Sequence, residues 1–355
     1  MSFPKKTDVS IPHEQPSGGV HTQLSELSPA YFGMAMATGI VSLGTQLVGL
    51  NSIANALFLL NIIAYTTLLI LTVLRMSLYP RRFFGDMTDH LRGPGFFTTI
   101  AATGILGSQF ILLKSNYFVG AIFLVVAVLL WVGLTYTIFA SFTIKEEKPT
   151  LDKGISGAWL LIAILSALLA EHVGQPGKLE MNFLALSMWL WGGMLYIWMM
   201  SLIFYRYTFF PFSPADLSPP YWINMGAMAI STLAGSLLII NVPHAPYLAS
   251  LLPFIKGFTV FYWVTGTWWI PMLLILGIWR HVYKRFPLKY DPLYWGAVFP
   301  LGMYAVSTGR MSQAMGFDFL WFLAPVFLCI ALLAWTMTFS GLVKDLLRRA
   351  RAFRV

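Results

Sequence analysis

The chain has 355 residues, of which 57% are apolar and only 10% are charged. Soluble domains carry about 25% charged residues, so this composition excludes an ordinary cytosolic protein and predicts a polytopic membrane protein. The net charge of +9 comes without a basic arm rich in aromatic residues, which argues against nucleic-acid binding and for basic loops beside a membrane.

Ten apolar runs follow a polar N-terminal tail at residues 1–28. The predicted spans, numbered in chain order, cover residues 29–48, 53–76, 94–114, 116–142, 155–173, 181–205, 220–241, 251–280, 292–314 and 317–343. Most are as long as the roughly 20 residues that a membrane-crossing helix needs, and they are apolar on nearly every face. We therefore predict an all-α polytopic membrane domain at residues 29–343, followed by a basic cytoplasmic C-terminal tail at residues 344–355.

The lysine and arginine residues predict the topology. Nineteen of the 23 fall in the two tails or in the connections after even-numbered spans. The four others are Lys114, Lys178, Lys256 and Arg310. Because cytoplasmic loops carry an excess of positive charge, both termini are predicted to be cytoplasmic, in the plasma (inner) membrane. Short connections on the other side predict that the chain is built from five helical hairpins.

An internal repeat relates spans 1, 3, 7 and 9. They read PAYFGMAMATGI from Pro29, PGFFTTIAATGI from Pro94, PPYWINMGAMAI from Pro219 and PLYWGAVFPLGM from Pro292. Proline suits a first helical turn, and the two aromatic residues that follow suit the membrane interface. Spans 1 and 3 also share the sequence Ala-Thr-Gly-Ile at one register, which membrane chemistry alone does not require. Span 5 lacks the proline. The repeat predicts that these helices occupy equivalent places in the fold.

Small residues recur on one face of the repeated spans, four, seven and ten positions after the proline. Ten positions correspond to about 15 Å, the middle of the hydrocarbon core. Small residues either let helices pack closely or leave a narrow central passage between them. The second interpretation predicts that the pore is lined by Gly33, Met36, Gly39, Thr98, Ala101, Gly104, Gly226, Ala229, Gly296 and Gly302.

Two residues of span 9 stand out against this lining. Phe299 is the one bulky aromatic residue at its level, so it is a candidate plug, although a lone phenylalanine also serves ordinary packing. Arg310 lies eleven residues later on the same face, about 16 Å further out. A cation there would attract anions to the outer mouth. The alternatives are a snorkelling arginine or a partner of Asp318.

Enzyme and metal chemistry find little support in the sequence. Asp86 and Asp89 resemble the carboxylates that bind magnesium-diphosphate in membrane prenyltransferases, but there is no second acidic cluster. The six histidines are scattered and Cys329 is the only cysteine, so no metal site or cofactor is predicted. We predict that the protein is not an enzyme, and an enzyme acting on prenyl groups or lipids stays a remote alternative.

The segments SPAYFGMAMATGIVSLG, PPYWINMGAMAIS and DPLYWGAVFPLGMYAVST resemble the tellurite-resistance/dicarboxylate transporter family. That family includes TehA, malic-acid transport proteins, sulfite efflux proteins and slow-type anion channels. The resemblance runs from about Pro29 to Gly341. It implies ten helices in five hairpins around a pseudo-fivefold axis, a pore lined by the odd-numbered helices, and a homotrimer with one pore per subunit. It also implies that Phe299 occludes the pore.

The expected function is an anion channel or channel-like exporter for small inorganic or carboxylate anions. A pore lining that is uncharged and has no fixed binding cluster favours weak binding and fast passage of anions. The alternative within transport is a proton-coupled carrier for C4-dicarboxylates such as malate, or an exporter of the sulfite or tellurite-resistance type. Such a carrier predicts saturable flux driven by a pH gradient.

Overall fold

The computed structural model describes residues 20–90, 92–145, 160–170, 177–211, 213–217, 219–287 and 290–352. Within these residues all regular structure is helical and no strand occurs. This confirms the all-α class. Residues 1–19 and 353–355 of the predicted tails lie outside the described part, and the division of the chain into tails and membrane domain stays a prediction.

The long helices are numbered after the predicted spans that they overlap. They are α1 Phe32–Leu47, α2 Asn51–Leu78, α3 Phe97–Lys114, α4 Tyr117–Ile144, α5 Leu160–Ala170, α6 Gly177–Phe209, α7 Ile223–Ile240, α8 Pro246–Ile278, α9 Trp295–Met315 and α10 Leu323–Ala352. Short helices at Val20–Ser25 and Pro80–Met87 flank α1 and α2. Helix α10 therefore continues beyond residue 343, where the sequence predicts the tail to begin.

Seven helices among the described residues are long and apolar enough to cross a membrane, namely α2, α3, α4, α6, α7, α8 and α10. This confirms a polytopic membrane protein. Helix α5 is a shorter apolar helix in its described part, and α1 and α9 are not among the seven. That all ten helices cross the membrane stays a prediction.

The repeated proline motif forms a repeated local structure. Short 3-10 turns at Pro29–Tyr31, Gly93–Phe96, Pro219–Trp222 and Pro292–Tyr294 lead into α1, α3, α7 and α9. Proline fits these turns because its missing N–H has no helical partner at that position. The turn before α1 also contacts those before α3 and α9. The starts of these helices are thus gathered at one end of the molecule.

The odd-numbered helices pack side by side in a closed ring. Helix α1 contacts α3 and α9, α3 contacts α5, α5 contacts α7, and α7 contacts α9. Each ring helix also packs against the even-numbered helix that follows it. The most apolar stretches of α3 and α7 are 78% and 89% buried, against 22% and 17% in α8 and α10. The even-numbered helices thus form an outer layer with apolar faces suited to lipid.

Polar side chains join the ring to the outer layer. Trp335 Nε1 of α10 donates to Thr38 Oγ1 of α1 at 3.0 Å. The hydroxyls of Tyr65 in α2 and Thr103 in α3 bond at 2.8 Å. Both threonines belong to the Ala-Thr-Gly-Ile repeat, so its threonine positions serve helix association, where one such bond contributes about 0.6–2 kcal/mol.

The end of α10 is seated against the loop before α9. A Cβ atom added at Gly341 would lie 2.5 Å from Tyr290 Cδ2, so only glycine leaves room for the ring of this tyrosine. Burial raises the pKa of Tyr290 to about 12. This contact fixes α10 where it leaves the outer layer.

Candidate functional site

A cavity lies inside the ring, towards the end opposite the starting prolines. Its wall includes residues from all five ring helices, and most of them are apolar. About 20 Å³ is open to the centres of water molecules, which is space for one or two waters. The ring therefore encloses a small and largely apolar cavity at this end.

The cavity wall repeats at a fixed distance from the starting prolines. Fourteen positions after each proline, the wall contains Leu43, Ser108, Leu233 and Val306. Eighteen positions after each proline, it contains Leu47, Leu112, Leu237 and Arg310. The apolar members of this set were not predicted, because the predicted lining ends ten positions after the prolines. Counting two further turns along the same repeat would have found them.

Helix α5 contributes Ile164 and Leu168 to the same wall. Counting back 14 positions from the first and 18 from the second gives the same starting position, residue 150. That position lies outside the described residues. The structure thus sets the register of α5, which the sequence left open because span 5 lacks the proline.

The helix face on which Phe299 lies can be located from the residues of the cavity wall. Seven residues are about 20° short of two full helical turns, so the face that lines the cavity continues seven positions towards the prolines. The residues there are Met36, Ala101, Gly226 and Phe299, and all four are buried. The side chain of Phe299 is only 1% exposed and is the bulkiest of the four. This register supports a lining position for Phe299, and its role as a plug stays a prediction.

Three predicted lining glycines face neighbouring ring helices at close range. A Cβ added at Gly39, Gly104 or Gly302 would lie 2.3, 3.0 or 3.0 Å from Ile105, Leu161 or Ile40, respectively. Each glycine is ten positions along its repeat, and each partner belongs to the next helix around the ring. The close-packing interpretation therefore holds at these glycines, and their lining role stays a prediction. The Gly-Ile pair that spans 1 and 3 share serves these contacts. The glycine leaves space on its own helix, and the isoleucine fills the space beside a glycine of a neighbouring helix.

The other predicted lining residues are buried or half-buried among the ring helices. An added Cβ would lie 3.7 Å from Trp295 Cβ at Gly33, and 2.9 Å from Pro300 Cγ at Gly226. Both glycines thus pack against α9. Thr98 Oγ1 bonds to backbone carbonyls of the turns before α1 and α3. Ala229 is buried in α7 and Gly296 is half-buried in α9.

Arg310 is half-buried in the cavity wall, one turn beyond Val306. Its Nη1 donates to Gln313 Oε1 at 3.2 Å, a bond within α9. Among the described residues that line the cavity, Arg310 is the only charged one.

Comparison with known proteins agrees with this architecture. A family model described as voltage-dependent anion channel, SLAC1, matches residues 26–343. The chain belongs to this family. An uncharacterized transporter of Methanocaldococcus jannaschii is 26% identical over 84% of the chain and 89% of its own length. A sulfite efflux pump of Trichophyton rubrum is 22% identical over 89% of the chain and 90% of its own length.

A further relative matches a shorter stretch of this SLAC1 family member. An uncharacterized membrane protein of Mycobacterium tuberculosis is 39% identical over 152 residues, which are 43% of the chain and 77% of that protein. The family and these relatives are channels, transporters or membrane proteins rather than enzymes. This confirms the predicted membership of the transporter family.

The acidic pair that suggested a magnesium-diphosphate site has a different role. Asp86 accepts from Arg75 at 2.5 Å and from Arg92 at 3.0 Å. The Arg75 side chain is 2% exposed, and its Nε also donates to the Ser25 carbonyl at 3.1 Å. Among the described residues, no group of three potential metal ligands occurs. Asp86 therefore balances the buried Arg75 and helps tie the segment before α1 to the end of α2.

Proposed function

We propose that this protein is an anion-conducting channel or channel-like exporter of the plasma (inner) membrane. The observation that carries the proposal is the cavity whose wall comes from all five ring helices and whose only charged member, among the described residues, is Arg310. In this proposal all ten helices cross the membrane, both termini are cytoplasmic, and five hairpins surround a pseudo-fivefold pore.

The proposed path runs along the axis of the ring. Arg310 raises the local concentration of anions at the outer mouth. The anions then pass apolar side chains and the small residues at the levels of Met36 and Gly33. Weak interaction along this path suits rapid passage, since tight sites slow exit.

Phe299 closes this path in the resting state. The spaces beside Gly39 and Gly302 are filled by Ile105 and Ile40, so they do not offer the ring a place to withdraw. Opening therefore requires a movement of α9 that takes the Phe299 ring off the axis. Pro300 follows directly and removes one helical hydrogen bond, which loosens α9 at this point.

A homotrimer with one pore per subunit is part of the proposal and rests on the family resemblance. The outer helices carry many exposed apolar side chains, such as Leu59 and Leu333, and these suit either lipid or a neighbouring subunit.

A second candidate is a proton-coupled exporter or carrier. It is favoured by the relative named as a sulfite efflux pump, which matches 89% of the chain. Sulfite, tellurite-type anions and C4-dicarboxylates such as malate are the substrates of this alternative. It predicts flux that saturates with substrate concentration and follows a pH gradient.

Purified protein in liposomes separates the two candidates. A channel gives anion flux that rises linearly with chloride or nitrate concentration, sets a reversal potential for these anions and does not change when the pH gradient is collapsed. A carrier gives saturable sulfite or malate uptake that stops with the pH gradient. Flux with the reversal potential of a cation would contradict both.

A further inference from the structure

The last helix, α10, is longer than a membrane crossing requires. It covers Leu323–Ala352, whereas about 20 residues cross the hydrocarbon core of a bilayer. Residues 323–343 contain no charged side chain and suffice for this crossing. Residues 344–352, which we name the α10 extension, therefore continue as a helix for about 13 Å beyond the core.

The inner face of the α10 extension is seated on the starts of two ring helices. Arg349 Nε donates to Asp345 Oδ2 at 2.8 Å, and both side chains act electrostatically on Tyr31 in the turn before α1. One helical turn before Asp345, Gly341 makes room for Tyr290 in the loop before α9. The position of the extension is thus coupled to the positions where α1 and α9 begin.

The outer face of the α10 extension is both apolar and basic. Leu346 and Leu347 are 56% and 54% exposed. Three exposed basic residues share one stripe with Leu347, at the helical spacings of three and four: Lys344, Arg348 and Arg351. Within the part of the chain that the structure describes, these three side chains have no ion-pair or hydrogen-bond partner.

A lipid surface accounts for this outer face better than other surroundings. Basic residues suit the C-terminal end of any helix dipole, but this does not account for two leucines exposed among them. Water would leave both leucines uncovered, and a second copy that used the same face would bring like charges together. At the edge of an anionic leaflet the leucines enter the acyl boundary while the basic side chains reach the phosphates.

We propose that the α10 extension is a binding site for anionic phospholipids, in which Leu346 and Leu347 insert into the leaflet and Lys344, Arg348 and Arg351 bind lipid phosphates. In the proposed topology this is the cytoplasmic leaflet. Lipid bound on the outer face holds the inner face against Tyr31 and Tyr290, so it stabilises the starts of α1 and α9. The inference does not rest on the proposed transport activity.

The first test measures thermal unfolding of the purified full-length protein in detergent with added lipid. Phosphatidylglycerol is expected to raise the unfolding midpoint by several degrees more than phosphatidylcholine does. The double variant Arg348→Gln/Arg351→Gln is expected to lose most of this difference. The matched control is Arg81→Gln/Lys284→Gln, which removes the same charge from exposed residues in the connections after α2 and α8.

Three outcomes of this test would overturn the proposal. The first is an equal effect of the two lipids on the wild type. The second is an equal loss in the control variant, which would mean that no particular basic residues are needed. The third is an equal rise of the midpoint with inorganic phosphate, which would mean that the site takes a free anion rather than a lipid.

The second test asks whether the leucines enter the leaflet. Leu347→Cys in a Cys329→Ser background is labelled with an environment-sensitive fluorophore and reconstituted into vesicles. Its emission is expected to shift to the blue in an equal mixture of phosphatidylglycerol and phosphatidylcholine, and brominated lipid is expected to quench it. Emission typical of water in these vesicles would overturn the proposal. So would a blue shift in lipid-free detergent that grows with protein concentration, because a second copy would then cover this face.

Discussion

Single glycines set the spacing of the ring helices. At Gly39 an added Cβ would lie 2.3 Å from Ile105 Cγ2 and 2.7 Å from Asn61 Nδ2, so α1 could not keep its distance from α2 and α3. The sequence shows that small residues recur at this depth. It does not show which way they point, because direction depends on how each helix is rotated in the assembled ring.

Gly39→Ala is therefore expected to destabilise the protein by about 1–3 kcal/mol, since overpacking forces neighbours apart. Gly257→Ala in α8 is the control, because an added Cβ there meets nothing within 4 Å. The midpoint of thermal unfolding in detergent measures both. If Gly257→Ala lowered the midpoint of thermal unfolding as much as Gly39→Ala does, the packing role of Gly39 would be contradicted.

The buried arginine of α2 is a second decisive residue. Arg75→Met leaves the Asp86 carboxylate with fewer partners, and breaking a buried ion pair costs about 3–5 kcal/mol. Arg349→Met is the control, because Arg349 pairs with Asp345 but its side chain is 41% exposed. Exposed pairs contribute about 0–1 kcal/mol. Equal unfolding midpoints for the two variants would show that the Arg75 cluster does not stabilise the fold.

At the scale of elements, the proline repeat carries most of the information. It predicts where α1, α3, α7 and α9 begin, and the structure adds a 3-10 turn at each start. Helix α5 could not be placed in this way, because nothing in span 5 marks the start of the repeat. Its register became readable only when Ile164 and Leu168 were found in the cavity wall.

The register of α5 can be tested by cysteine labelling in a Cys329→Ser background. Leu168→Cys is expected to react with an anionic thiol reagent that enters the cavity. Leu165→Cys is expected to stay unreactive, because Leu165 is 0% exposed and packs beside Gly107 of α3. Labelling of Leu165→Cys with protection of Leu168→Cys would reverse the assigned faces.

At the scale of the whole molecule, composition and periodicity are sufficient to predict an all-α membrane protein. The closed ring of α1, α3, α5, α7 and α9 was expected only through the family resemblance. The order of helices around a ring depends on which apolar faces meet, and helices of similar composition do not reveal this in sequence. The cavity could not be predicted from the sequence for the same reason, because its wall is made of side chains from all five ring helices.

The central claim is that Phe299 closes a passage along the axis of this ring. Removing its ring in Phe299→Ala leaves only a methyl group among Met36, Ala101 and Gly226, the other described residues at this level. Phe258→Ala is a matched control, because Phe258 belongs to the outer helix α8 and packs against Trp189 and Tyr262 rather than on the ring axis.

The most direct measurement is anion current through each purified protein in planar bilayers at equal incorporation. We expect a larger, anion-selective current for Phe299→Ala than for the wild type, and no increase for Phe258→Ala. Equal currents in wild type and Phe299→Ala, or the same increase in both variants, would contradict this expectation.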